Sequence, residues 1–290
     1  MSGKKGKSKK FILGYIYSDR KLDKDEKTFL KVANKNNVEL VMFNIIDKIN
    51  EKELEEKAKR CDIIFNNSSE LFAEEIVKTF EQLGKRVVDS SKVANYPEDK
   101  WIFYMECRKN KIPTPETILL SENVNAAKKE LEEFNRWPII IKRVEGTHGE
   151  YVDKAYNHRE AEKIIKRFWK KGSERLPIIA QEFIVSSPSY RVTLIGDKIV
   201  QTAIKNAKGW KKTGVYEKRI ERFKLDKKLV EIAKKVSRMT GIKIIGIDLL
   251  KKNGEWLVLE VNAQPGLDFF SVDEEKIVQE IINFLKKLKK

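Results

Sequence analysis

The chain has 290 residues, 41% of them hydrophobic and 36% charged, and 60 Lys and Arg against 44 Asp and Glu give it a formal charge of +16. This length buries a full core in about one to three domains, and no apolar run approaches the roughly 20 residues that span a bilayer, so a membrane-spanning helix is excluded. The first ten residues, MSGKKGKSKK, read as a disordered basic tail, and FILGYIY behind them is too short and too soon followed by Ser18-Asp19-Arg20 for a secretory signal. A cytoplasmic location is expected.

Taken in order, FILGYIYS predicts a strand, the stretch from Asp25 to Asn36 a helix and VELVMFNI a strand. Glu51 to Arg60 predicts a helix, DIIFNNS a strand, Glu70 to Leu83 a helix and KRVVDS a strand. Strands alternating with helices at this spacing indicate a parallel α/β domain over 11–93. A helix from about Glu98 to Lys109 follows, and the prolines of KIPTPETILL break it and lead into a strand. VNAAKKELEEF predicts a helix, WPIIIKRV a strand ending near Lys142, EGTHGEYV a glycine-bearing turn, His158 to Lys170 a helix and LPIIAQEFIV a strand. The last third reads as strands YRVTLIG and KIVQTAIK, a basic loop, a helix from about Lys227 to Thr240, two strands around Asn253-Gly254 and a closing helix over 273–288. The division expected is a tail at 1–10, the α/β domain at 11–93, a central subdomain at 94–180 and a C-terminal subdomain at 181–290. Cys61 and Cys107 have no neighbouring thiol in sequence and are read as buried small apolar residues.

The final pair of strands carries the chemistry. LVLEVNAQPGL places Glu260 and Asn262 two apart on an apolar strand, and IIGIDLL places Asp248 on the one before it. A plain two-residue turn at Asn253-Gly254 would put Asp248 opposite Leu259, away from Glu260, because opposed side chains share a face and neighbours alternate. Bringing Ile247 and Leu249 to the face of Leu257, Leu259 and Val261 needs a one-residue shift, read here as a three-residue loop Lys252 to Gly254. Asp248, Val258, Glu260 and Asn262 then share the second face. Two carboxylates and an amide, without His or Cys, suit a hard cation such as Mg²⁺ or Mn²⁺. The competing reading, a structural polar cluster on an exposed hairpin face, leaves Asn262 and Pro265-Gly266 without a purpose.

Phosphate chemistry is signalled less sharply. Lys100 begins a helix, Lys142 ends an apolar strand where a lone cation calls for an anionic partner, and Gly146 and Gly149 allow a turn whose amides can face phosphate oxygens. With GIDLLKKNGEWLVLEVNAQPGL, IIIKRVEGTHG and IIAQEFI all in order, residues of about 95–270 resemble the RimK-like branch of the ATP-grasp ligases. The resemblance implies an ATP-grasp fold, mixed α/β with a parallel α/β domain in front of it. It implies ATP contacted by Lys100 and Lys142 at the phosphates, a phosphate lid with Gly146, Thr147 and Gly149, and Gln181, Glu182 and Phe183 at the adenine edge. It further implies Arg191 near the γ-phosphate and acyl group, Lys211 on the loop that closes over the triphosphate, and two Mg²⁺ (or Mn²⁺) ions on Asp248, Glu260 and Asn262. Ser189 stands where the family often has an Asp, and Thr213 or Gly214 where it often has an Asn, which puts a ribose or phosphate contact and a metal contact in doubt.

The activity implied is carboxylate activation: an acyl phosphate forms, and an amine displaces phosphate to give an amide. The leading expectation is transfer of an amino acid such as glutamate to an acidic small molecule, peptide or protein, since 205–224 carries eight Lys or Arg against Glu217 and Glu221. An RNA- or ribosome-associated ATP-binding protein and an ATP-grasp phosphotransferase stay open beside it, as does a homo-oligomer. The positive charge favours RNA, but the sequence has no RNA-binding motif or aromatic platform to support it.

Overall fold

The computed structural model describes residues 10–146, 151–170, 175–185, 188–207, 209–211, 217–267 and 269–289. Four strands, β1 (Phe11–Tyr17), β2 (Val38–Asn44), β3 (Ile63–Asn66) and β4 (Val87–Val88), form a parallel sheet of order β2-β1-β3-β4. Their connections are α1 (Lys24–Lys35), α2 (Glu51–Arg60) and α3 (Leu71–Gln82). Each of these strands is too apolar to face water, which is the mark of a parallel sheet covered on both sides. Asp23 starts α1 by accepting from the amides of Asp25 and Glu26 while Glu26 reaches back to the amide of Asp23, a reciprocal cap.

Six α-helices and nine strands follow in the described residues. They are α4 (Asn95–Glu98), α5 (Lys100–Lys109), β5 (Thr117–Leu120), α6 (Val124–Phe134), β6 (Ile139–Arg143), β7 (Val152–Ala155), α7 (His158–Lys170), β8 (Ile178–Glu182), β9 (Ser189–Ile195), β10 (Lys198–Ala207), β11 (Glu217–Glu221), α8 (Lys227–Thr240), β12 (Ile244–Lys252), β13 (Glu255–Asn262) and, last, α9 (Ser271–Leu288). One sheet has the order β5-β8-β6-β7, the other β11-β10-β9-β12-β13. The strand β7 shares only Val152 with the expected turn and otherwise lies in a stretch to which no element was assigned, and β11 falls in the expected basic loop.

The chain divides into two compact units, one of residues up to Ala94, 242–245 and 263 onward, the other of 95–241 and 246–262. The sequence division placed all of 181–290 in one subdomain; α9 instead packs on α1 in the first unit, with Ile277, Val278, Ile281, Ile282 and Leu285 buried. In the same unit Asp89 accepts from the amides of Lys243 and Ile244 at 2.7 and 3.1 Å. The second unit holds a core of Leu131, Ile139, Ile141, Ala161, Ile165 and Phe168 among others, between β6, α6 and α7. Cys61 and Cys107 are both buried thiols.

Candidate functional site

The hairpin β12–β13 decides which side chains meet. Asn253 and Gly254 both take positive φ, +52° and +82°, as a two-residue turn of the hairpin type demands. Lys252 pairs with Glu255, Leu250 with Leu257 and Leu249 with Val258; the register then shifts, and Asp248 pairs with Glu260, Ile247 with Val261 and Gly246 with Asn262. The expected three-residue loop is therefore corrected. The extra residue is Leu259, in a bulge within β13, because the Asn-Gly turn satisfies its own geometry and leaves the strand to absorb the mismatch. Val258 is corrected with it: it lies opposite Leu249, wholly buried, and not on the face of Glu260. The outcome expected for the polar residues stands, with Asp248, Glu260 and Asn262 on one face.

Asp248 is 0% exposed. Arg191, on β9, holds it with two parallel bonds, Nε to Oδ1 at 2.8 Å and Nη2 to Oδ2 at 2.5 Å, and Lys205 Nζ on β10 lies 3.1 Å from Oδ1. Asn262 Nδ2 adds a contact to Oδ2 at 3.3 Å. Burial alone would raise the Asp248 carboxyl, but the Arg191 guanidinium and the Lys205 ammonium outweigh it and hold it well below the usual carboxylate range. Glu260 moves the other way: burial and the negative charge of Asp248 push it up, against the pull of Lys142, Lys100 and Arg191.

Lys142, on β6 of the other sheet, and Lys100, at the start of α5, lie near enough to Glu260 in the same unit to feel its charge. Lys142, 5% exposed, donates to Gln181 Oε1 at 3.0 Å, and Gln181 Nε2 donates to Thr117 Oγ1 at 2.8 Å. Burial lowers Lys142 to about 8, with Lys100 adding to the fall and Glu260 opposing it. Lys100 is the first residue of α5, where Asp99 caps the amides of Trp101 and Ile102, and its backbone amide bonds to Val144 O at 3.2 Å. Its Nζ donates to Val144 O and to Gly146 O at 2.7 Å, which ties the helix start to the end of β6. Burial lowers Lys100 as well, opposed first by Glu260. Gly146 has φ +129°, a backbone conformation that only glycine adopts at ease.

Other expected residues lie around this centre. Ser189 is buried directly across the ladder from Lys205. The backbone amides of Glu182 and Phe183 are engaged, with Glu116 O at 2.8 Å and Pro138 O at 3.3 Å, and the Glu182 side chain pairs with Lys252. Lys154 covers the Phe183 ring at 3.7 Å. Lys211 follows β10 and lies 5.4 Å from the Trp210 ring centroid. Thr147 and Gly149 lie outside the described residues, as do His148, Thr213 and Gly214. Lys205 is the residue that sequence reasoning passed over. It ends the expected strand KIVQTAIK and was counted only as the first charge of the basic run 205–224, whereas β10 continues to Ala207. Its signal was parity: Lys205 is two residues after Ala203, which faces Arg191 across the ladder.

The donor set of Asp248, Glu260 and Asn262 is all oxygen, and the site's cations, Lys100, Lys142, Arg191 and Lys205, outnumber its carboxylates. Such a site can take a hard cation together with a polyanion. The RimK-like ATP-grasp domain model matches residues 97–285. The chain belongs to the RimK-like ATP-grasp family. Among relatives of this RimK-like chain, a "Probable alpha-L-glutamate ligase" of Legionella pneumophila is 28% identical over 197 residues, covering 67% of the chain and 64% of that protein. The chain thus matches slightly under two thirds of the length of that relative. The fold is shared with a RimK domain ATP-grasp protein of Sphaerobacter thermophilus, at a TM-score of 0.75, 16% identity and coverage of 94% and 98% of the two chains. It is shared too with D-alanine–D-alanine ligase of Bacillus anthracis, at a TM-score of 0.72, 18% identity and coverage of 96% and 97%.

Proposed function

We propose that this RimK-like chain is an ATP-dependent carboxylate–amine ligase whose amine substrate is an amino acid, with glutamate the first candidate from the name of its relative. The observation that carries the reading is the pairing of Asp248 with Glu260 on one sheet face, opposite the buried Lys142 and the half-buried Lys100. Glu260 is raised by burial and then by the charge of Asp248 beside it, and such like-charge crowding is what a bound divalent ion would relieve.

In this reading Asp248, Glu260 and Asn262 would hold Mg²⁺ or Mn²⁺, two ions in the full assembly, which would supply positive charge to the phosphates. Lys100 and Lys142 bind phosphate oxygens, and Gly146, with Thr147 and Gly149, contributes backbone amides. Because the amides of Glu182 and Phe183 are already engaged, an adenine beside them would use carbonyl oxygens here or the amide of Ile184. Gln181 orients Lys142, and Ser189 offers a neutral hydroxyl near the phosphates. Arg191 and Lys211 stabilise the transferred phosphoryl group. The acceptor carboxylate attacks the γ-phosphorus, ADP leaves, and the amine nitrogen then attacks the acyl carbon, expels phosphate and loses a proton. Positioning and electrostatics carry such a reaction without a side-chain nucleophile. An acidic acceptor, small molecule or peptide, fits the basic segment after Lys205.

The test is release of ADP and phosphate by the purified protein with Mg²⁺, a panel of amino acids and acidic acceptors. Equal release of both, dependent on acceptor and amine, is expected, with Glu260→Ala lowering the rate by about 10² to 10³. A phosphorylated product that persists without amine would replace the ligase with a phosphotransferase.

A further inference from the structure

Thr117, Gln181 and Lys142 form a row across three strands of one sheet in the second unit. Thr117 on β5 lies directly opposite Gln181 on β8, and Lys142 on β6 lies opposite Ile179, two residues before Gln181 and on the same face. The other face of these strands carries Ile139, Ile141 and Ala180 into the core with α6 and α7. All three polar residues are buried. The hydrogen bonds along the row can run in only one direction. A lysine only donates, so Gln181 turns its Oε1 to Lys142 Nζ, at 3.0 Å, and its Nε2 to Thr117 Oγ1, at 2.8 Å. The Thr117 proton is then left for Pro115 O, at 3.0 Å. Two residues earlier Pro113 O accepts from the amide of Val258 at 2.8 Å, which ties the end of the row to the strand that carries Glu260.

The row holds an ammonium without neutralising it. Among the described residues the acceptor bonded to Lys142 is a neutral amide, and no carboxylate comes within ion-pair distance of its Nζ. A buried cation kept for stability alone calls for a carboxylate beside it. A neutral oxygen instead fixes the direction of the flexible four-carbon stem and leaves the charge for an anionic ligand. The resemblance put Gln181 at the adenine edge, whereas its side chain is spent on Lys142 and Thr117. Resting on the nucleotide reading above, we propose that Gln181 and Thr117 are positioning residues for the phosphate-binding Lys142. Gln181 serves the phosphate end of the nucleotide, and Thr117, which touches no ligand, decides which end of the Gln181 amide faces the ammonium. Affinity for the triphosphate therefore depends on a hydroxyl one strand beyond Gln181.

The deciding experiment is isothermal titration calorimetry of the full chain with Mg²⁺, a non-hydrolysable ATP analogue and, by displacement of that analogue, adenosine. Wild type, Gln181→Glu, Thr117→Val, Thr117→Ser and Lys142→Met are compared, each checked for cooperative melting. Gln181→Glu keeps the row, because the Thr117 hydroxyl can turn its proton to a carboxylate, but it pairs Lys142 internally and is expected to weaken the analogue about tenfold. Thr117→Val frees the Gln181 amide to rotate and is expected to weaken the analogue about three- to tenfold, with Thr117→Ser restoring most of the loss. Adenosine, which has no phosphate, is expected to bind these variants as it binds wild type. Gln181→Glu and Thr117→Val disturb different bonds, so either one that melts cooperatively decides the outcome. Analogue binding as in wild type in both, an equal loss for adenosine, or Thr117→Ser as weak as Thr117→Val overturns the positioning role. Wild type that binds no analogue, or Lys142→Met that binds it as wild type does, overturns the nucleotide reading and the positioning role with it.

Discussion

At Asp248 one buried carboxylate meets two cations. Arg191 and Lys205 both bind it, and their side chains are only 12% and 2% exposed. Removing one partner of a buried ion group costs more than the group contributes, because the remaining charge is stranded. Asp248→Asn is therefore expected to destabilise its unit by about 3–5 kcal/mol, read by urea denaturation. Adding Lys205→Met to that variant should recover part of the loss, since one of the two buried cations facing the lost carboxylate is gone. Independent, additive effects of the two substitutions would show that Lys205 does not depend on Asp248. The buried Lys142 makes the complementary point. Burial has brought it down to about 8, so an anionic ligand beside it restores the preference for the charged form.

At the scale of elements, the site face of β9–β10–β12–β13 is held in place from behind. Tyr190, Phe223 and Trp256 form an aromatic cluster with centroid distances from 4.8 to 5.9 Å. Asp226 links it to α8 by capping the amide of Leu229 at 2.7 Å and accepting from Trp256 Nε1 at 2.7 Å. Those bonds hold the Asp226 carboxyl below its ordinary value. Asp226→Ala loses the cap and leaves the indole donor of a buried Trp256 unmatched, a combined cost of about 2–3 kcal/mol in denaturant midpoints. Asp226→Asn, which can still cap, should cost clearly less; equal losses would mean that the cap carries no weight. Much at this scale was legible in sequence, since α2, α6, α7 and α8 have the bounds that amphipathic period and caps predict. The site residues on β12 and β13 were legible because apolar parity constrains a half-buried hairpin. What parity cannot reveal is where the odd residue goes, so the turn was assigned the irregularity that Leu259 takes. β7 and β11 escaped for a related reason: VDKA and EKRIE are short and polar, and their pairing is set by β6 and β10 more than by their own pattern.

For the whole molecule, pH should act on the unit that contains both ends of the described chain. Burial raises Asp89 to about 6, against the two backbone amides that favour its charge. A carboxyl raised in the folded state gives its full contribution below its unfolded value near 3.8, and that contribution is lost as pH rises through about 6. Between pH 7 and pH 4 this group alone should add about 2–3 kcal/mol of stability. Glu26, raised to about 7 by burial and by Asp23, acts in the same direction. Chemical denaturation at pH 7 and pH 5 measures the trend, and Asp89→Asn should reduce it, leaving the share of Glu26; a slope unchanged by the substitution would show that Asp89 does not contribute. The protein thus carries carboxyls that favour mild acid, beside an Asp248 whose low value makes it lose support only in strong acid.

The packing of α9 on α1 has a consequence for how the protein is made. Residues from both sides of the middle of the chain are needed to complete the first unit, since Lys243 and Ile244 supply the partners of Asp89 and α9 covers α1. Synthesis runs from β1 onward, yet β1 to β4 must wait on the ribosome until the whole of 95–262 has emerged. The unit begun first is the one finished last, and during that interval its apolar surface beneath α9 is exposed to chaperones and to neighbouring nascent chains.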